Sequence, residues 1–179
     1  MTFNRPPKRS VPQNIERNGH FRDIVRRTMI RGFAIALAVF AAVANAAELS
    51  LEQGTLSAGK PAALKVTLAA GRDLPTGIQF DLEYDAAALD LSVEVGPAAR
   101  QASKSLRSAQ IEPGKLRVLI IGFNRTTISD GVIATVHVSY KGAHGSKTFQ
   151  VHVTAAAGTN ANAEPVAVTA KDGSVSVEK

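Results

Sequence analysis

The sequence predicts an all-β protein, an antiparallel β-sandwich or barrel. Two observations carry the prediction. Apolar and polar residues alternate over many short stretches, Gly77–Tyr84 most clearly, and these stretches are separated by turns rich in Gly, Pro and Asn. No segment beyond residue 47 shows a convincing amphipathic-helix period, so the chain has strands but no helices to layer against them. The composition agrees: 179 residues with 14 Gly, 8 Pro, no Trp and no Cys, and an apolar content dominated by Val, Ala and Leu. The absence of Cys excludes disulfides, thiolate metal sites and a cysteine nucleophile.

The net charge of +6 belongs to the N-terminal segment. Residues 1–46 hold 8 of the 21 Lys and Arg but only 2 of the 15 acids, leaving 13 of each in the remainder. The remainder is neutral, so the charge is no argument for nucleic-acid binding. Residues 1–28 are polar, basic and Pro-containing, and are expected to have no fold. Residues 29–46 read as a Sec-type signal peptide: Arg31 precedes the apolar run Gly32–Ala44, and Ala44-Asn45-Ala46 has the small-x-small form that signal peptidase cuts. The run is shorter than the ~20 residues of a membrane span, although an uncleaved N-terminal anchor is the alternative. Met29 opens a complete signal peptide, which makes it a candidate translation start. The expected mature domain is 47–179, secreted, periplasmic or at the cell surface.

About nine strands follow in order. Leu49 and Leu51 alternate with polar residues in Glu48–Gln53, and Gly54–Pro61 reads as a turn. Ala62–Ala70 alternates Leu64, Val66 and Leu68 with Lys65 and Thr67. In Gly77–Tyr84, Ile78, Phe80, Leu82 and Tyr84 point one way and Gln79, Asp81 and Glu83 the other. The first set is expected in the core, with the Tyr84 hydroxyl reaching a polar partner near an edge. Asp85 ends the strand by bonding backbone ahead of it, and Leu89–Val95 is the next strand. Gly96–Ser108 is a loop or one helical turn. Ala109–Glu112 and Lys115–Phe123 flank Pro113-Gly114, which suits a type II turn with Gly114 at positive φ. Val132–Tyr140 alternates Val132, Ala134, Val136, Val138 and Tyr140 with Ile133, Thr135, His137 and Ser139. Thr148–Thr154 alternates Phe149, Val151 and Val153 with polar residues. Ala155–Pro165 reads as turn, and Val166–Val168 and Ser174–Val177 close the chain.

One strand departs from the one-face rule. In Lys115–Phe123 the phase Leu116, Val118, Ile120 is apolar, and so is most of the phase Arg117, Leu119, Ile121, Phe123. A two-layer sandwich buries one face of each sheet. The second phase is therefore either covered, for example by Gly96–Ser108, or an exposed patch of the kind that marks a partner site.

No catalytic constellation emerges. His20 lies in the leader, His144 in a turn, and His137 and His152 on the polar phases of different strands. Asp81 and Glu83 share a strand face about 7 Å apart, which a paired-carboxylate glycosidase could use, but outer-face solvation explains them more simply. Metal-ligand spacings and phosphate-binding Gly loops are absent, so no cofactor is expected. Asn124-Arg125-Thr126 has the form of a glycosylation sequon.

The strand ending in Tyr84-Asp85 with Leu89 and Leu91 beyond it, the stretch SDGVIATVHVSYKG at Ser129–Gly142 and the ending DGSVSV at Asp172–Val177 together resemble the cohesin domain. With ELSLEQGTLSAGKPAALKVTL at the start, the resemblance covers 48–177. It implies an antiparallel nine-stranded sandwich of jelly-roll topology and a non-enzymatic module. That module would bind a dockerin-type protein in an extracellular assembly connected to polysaccharide degradation. The resemblance also implies the binding surface: the outer face of the sheet holding Gly77–Asp85 and Lys115–Phe123. By position this surface is Gln79, Asp81 and Glu83 with Arg117, Leu119 and Ile121. Where many cohesins carry an Asn and an Asp early in the central strand, this chain has Gly77 and Gln79, so a charge-assisted anchor is missing. A carbohydrate-binding module is an alternative, disfavoured because Tyr84 and Tyr140 fall on core phases and Trp is absent. A structural part of an envelope or secretion assembly is the other.

Overall fold

The structure, a computed structural model, describes residues 46–57, 60–142 and 147–178. Of the leader and signal peptide expected over 1–46, all but Ala46 lies outside the described residues, as does His144. Alternation produces strands where it was strongest: β1 (Ala47–Leu51), β2 (Gly54–Leu56), β3 (Ala62–Ala69), β4 (Gly77–Glu83) and β5 (Leu89–Val95). A short helix, α1 (Pro97–Gln101), follows, then β6 (Ser105–Glu112), β7 (Lys115–Ile121), β8 (Gly131–Tyr140), β9 (Lys147–Thr159), β10 (Pro165–Val166), β11 (Val168–Lys171) and β12 (Gly173–Val177).

The strands form two sheets packed as a sandwich. One runs β11-β1-β3-β8-β5, the other β2-β12-β9-β4-β7-β6, with β10 paired to β9. The first strand of the chain begins in one sheet as β1 and continues in the other as β2, and the last does the same as β11 and β12. Counting each of these once, and setting aside the two-residue β10, leaves the nine strands expected. The crossings also create two parallel pairings, β1 with β11 and β2 with β12, in an otherwise antiparallel fold.

The core takes one face from each sheet. Ile78, Phe80 and Leu82 of β4 and Leu116, Val118 and Ile120 of β7 are buried in one cluster with Leu49, Leu64, Val66, Val136 and Val138 of the opposite sheet. Each such side chain contributes roughly 1.5–3 kcal/mol by leaving water. Tyr84 is only half-buried at the rim, where its hydroxyl donates to Gln110 Oε1 at 3.4 Å. Asp85 Oδ1 accepts from the Ala87 N–H, as a strand-ending turn requires. Gly114 has φ +78°, and a Cβ there would collide with the Tyr84 carbonyl, so the β6–β7 turn demands glycine.

Three sequence expectations are corrected. Gly54–Leu56 is a strand within the expected turn, because it completes the edge beside β12. Ala155–Thr159 is strand too: β9 continues past a bulge at Ala155 (φ +48°), where the β4 register shifts between Gln79 and Asp81. A second bulge shifts the β3–β8 register between Val66 and Thr67, so that Ile133, expected on the polar phase, is fully buried and Val132 is not.

The fully buried Phe80 sits at the centre of this packing. Phe80→Ala should lower unfolding free energy by about 3–5 kcal/mol, a large share of a typical domain's stability. Urea unfolding followed by circular dichroism measures it, and a loss under about 1 kcal/mol would contradict the assigned core.

Candidate functional site

The outer face of the sheet around β4 and β7 carries all six residues singled out from the sequence. The register sets them in rows. Glu83 lies opposite Lys115, Asp81 opposite Arg117 and Gln79 opposite Leu119. On the flank formed by β9 the same rows continue as His152, Thr154 and Ala157. On the β6 flank, Ala109 lies beside Arg117, Arg107 beside Leu119 and Ser105 beside Ile121.

The face divides into two halves. In the polar half the charges are spent on one another. Arg117 donates to Asp81 through Nε (2.8 Å) and Nη2 (2.9 Å), a two-pronged pair. Lys115 Nζ lies 2.9 Å from Glu83 Oε1, and Thr154 Oγ1 donates to the same oxygen at 2.8 Å. His152 Nδ1 is 2.8 Å from Asp172 Oδ2, whose other oxygen accepts from Val153 N–H. Asp81 was expected to be solvated. Its side chain is instead 1% exposed, because the Arg117 guanidinium covers it. The Arg117 bonds hold the Asp81 carboxyl below the usual carboxylate range, with the Arg117 and Lys115 charges adding to this and burial opposing it. Lys115 and then Thr154 lower Glu83 likewise. Both carboxylates are held in ion pairs, and neither is raised as the carboxyl of a general acid would be.

The other half is apolar and open. Gly77, Gln79, Leu119, Ile121, Ala157 and Thr159 are among the residues lining a depression of about 260 Å³. It exists because glycine and alanine stand where larger side chains would fill it. Ile121 is 46% exposed, and Phe123, just past the end of β7, is fully exposed. The Gln79 amide has no hydrogen-bond partner among the described residues. Of the two readings of this phase, the exposed one holds at Ile121 and Phe123 among the described residues, while Leu119 is half-buried. Gly96–Ser108 does not cover it: Ala98, Ala99 and Ala102 of the α1 segment are buried in the core against β8, and the rest runs on as β6.

The opposite sheet presents no comparable surface. Its outer face carries Glu48, Lys65, Glu94, Thr135 and His137, with Lys171 paired to Glu48 at 2.7 Å and His137 3.5 Å from Glu94. Nor is there a flat row of aromatics: among the described residues Phe123 alone is fully exposed, while Tyr140 packs against Phe149 with ring centroids 5.6 Å apart. No group of His, Asp and Glu able to hold a metal forms among the described residues. The sequence reading placed Gly77 on this surface only as a missing anchor, and it missed Ala157 and Thr159 as surface-forming residues. The small residues at 155–158 were the available signal, and they read as a turn instead.

A family model described as the cohesin domain matches residues 47–177. Solved structures agree in fold. The sixth cohesin of Acetivibrio cellulolyticus scaffoldin B, in complex with the Cel5 dockerin, has a TM-score of 0.65 at 22% identity, covering 74% of this chain and 99% of that one. The cohesin of the Coh-OlpC–Doc435 complex from Clostridium thermocellum gives 0.64 at 16%, covering 75% and 94%. A non-cellulosomal cohesin from Archaeoglobus fulgidus gives 0.62 at 14%, covering 75% and 92%. No curated protein sequence matches the chain significantly.

The depressed Asp81 pKa has a stability consequence. Between the folded value and the ordinary 3.8, the unfolded chain binds more protons than the folded one. The contribution of Asp81 is thus fully present above about pH 4 and is lost as pH falls through the lower folded value. Asp81→Asn should lower the melting temperature at pH 6–7 by several degrees, since a charged, two-pronged bond is worth roughly 1.5–3 kcal/mol. It should also flatten, without abolishing, the loss of stability between pH 4 and 2, because Glu83 and Asp172 are lowered too. Parallel acid limbs for wild type and variant in calorimetry would refute the assignment.

Proposed function

The chain belongs to the cohesin domain family, and from that premise we propose that it is a non-catalytic module that docks a dockerin-bearing protein on the outer face of the β9-β4-β7-β6 sheet. The observation that carries this is the open apolar half of that face, where Ile121 is exposed and half-buried Leu119 lines the neighbouring depression although the core is already complete. Exposed contiguous apolar surface of this kind marks an interaction site. The neighbouring structures determined as cohesin–dockerin complexes support the class of partner.

The six residues divide the work. Leu119 and Ile121 supply apolar contact, and Gln79, with its amide free, supplies the polar contact at the boundary. Asp81, Glu83, Arg117 and Lys115 supply a rigid, internally neutralised border rather than free anchors. A partner that relies on a free carboxylate at Gln79 is excluded by charge, so shape and apolar contact dominate recognition. The signal-peptide pattern before residue 47 supports export. Together with scaffoldin cohesins among the structural neighbours, it supports a place in an extracellular assembly that acts on polysaccharides.

The test is capture of secreted and envelope proteins of the source organism on the purified protein, beside Leu119→Asp and Ile121→Asp variants. Wild type should retain a protein carrying a duplicated dockerin-type calcium loop. Each variant should bind it at least about 30-fold more weakly, the effect of a truncated interface anchor, at an unchanged melting temperature. Retention by the variants at wild-type affinity would move the docking site elsewhere.

A further inference from the structure

We propose that Phe123 is the anchor of this docking surface, that a latch closed by Lys104 and Asn124 holds it out, and that the partner receives it in an apolar socket bordered by carboxylates. The inference rests on the reading of the outer face as the docking face and adds to it the residue that dominates and the chemistry of what it meets.

The latch begins with an anomaly. Lys104 is 5% exposed and makes no salt bridge among the described residues. Burial pushes its ammonium pKa down. Its Nζ donates instead to the Asn124 carbonyl oxygen (3.0 Å) and to Asn124 Oδ1 (2.7 Å). Asn124 returns a bond from Nδ2 to the Ser103 carbonyl (3.0 Å), and its Oδ1 also accepts the Thr126 N–H (3.0 Å). On the other side of Phe123, the Gly122 backbone comes so near that a Cβ there would lie 2.9 Å from the Ser103 oxygen and 3.1 Å from Lys104 Cδ. Of the neighbours of Phe123, Asn124 is thus bonded to the 103–104 segment and Gly122 lies close against it. Asn124, which has the form of a sugar acceptor, uses both its Oδ1 and its Nδ2 in this clasp.

What the clasp displays is a phenyl ring with no contact to the fold that would hide it. Phe123 is fully exposed in the bend that follows β7, two residues beyond Ile121, the last residue of that strand. An aromatic ring on a fixed backbone has little rotamer entropy to lose on docking, which is the property of interface anchors. Charge specifies its surroundings. Arg107, beside Leu119 on β6, and Arg125, one residue past the clasp, are exposed and have no carboxylate within salt-bridge range among the described residues, whereas Arg117 and Lys115 are paired. The apolar strip therefore carries unspent positive charge, and the complementary partner is apolar at its centre and acidic at its rim.

The chain contains no Trp, so Phe123→Trp creates a single indole reporter. Its fluorescence anisotropy should match tumbling of the whole domain and fall when Asn124→Ala or Lys104→Met is added. Lys104→Met keeps the buried volume if Asn124→Ala impairs folding. Anisotropy indifferent to both would remove the latch. The anchor is tested on the recombinant dockerin domain of the captured protein. Phe123→Ala should weaken binding at least about 30-fold. The double variant Arg107→Glu, Arg125→Glu should slow association about tenfold at low salt, the difference shrinking as salt is raised. Loss of binding with Leu119→Asp but wild-type affinity with Phe123→Ala overturns this inference and leaves the docking face intact. Failure of the wild type to capture any dockerin-bearing protein overturns both.

Discussion

Strands β4 and β7 lie side by side in a sheet that can give only one of its faces to the core. A pleated strand sends successive side chains to opposite faces, so Ile78, Phe80 and Leu82 with Leu116, Val118 and Ile120 fill the sandwich, and the residues between them must be accommodated outside it. The pair solves this in two ways. Over Asp81, Glu83, Lys115 and Arg117 opposite charges are placed directly across the strands and neutralise one another. Over Gln79, Leu119 and Ile121 there is no such solution, and apolar surface stays in water. A fold selected for stability alone has no use for that surface, because Thr or Lys at these positions would serve a solvated strand equally well. The asymmetry between the two halves, rather than either alone, directs attention to function.

Much of the fold was legible because it follows from period-two alternation, and the failures occur where that period is broken. The bulges at Ala155 and Ile133 each insert one residue, and one residue is enough to exchange the inner and outer faces. A bulge depends on the partner strand, 60 to 80 residues away, and leaves no local mark. The crossing of the terminal strands from sheet to sheet is similar: Gly54–Leu56 contains turn residues and becomes strand only because β12 offers it an edge.

The candidate surface was legible in part for the same reason. The two-faced apolar character of Lys115–Phe123 is local, and it located the patch. The environment of Asp81 is not local: an acid on an outer phase reads as solvated until the register sets Arg117 opposite it, 36 residues away. The latch was invisible on both counts. Lys104 stands in the least regular segment of the domain, and Asn124 reads first as a glycosylation signal.

Lys104 shows best how stability and function part company here. Taking an ammonium out of water costs several kcal/mol unless its protons find acceptors, and an ion pair would have been the usual remedy. The chain supplies a carbonyl and an amide oxygen of one residue instead. An apolar side chain would fill the same space without the desolvation cost, but it could not fix the position of Asn124. The bonds therefore secure the geometry of one short loop more than the stability of the domain, and the residue that loop presents is, among the described residues, the one aromatic ring left wholly in water. Two local violations of ordinary folding economy, a buried lysine with no ion pair among the described residues and an exposed phenylalanine, stand beside the end of β7. When such violations cluster, a requirement other than stability keeps them, and on this face the available requirement is the recognition of another protein.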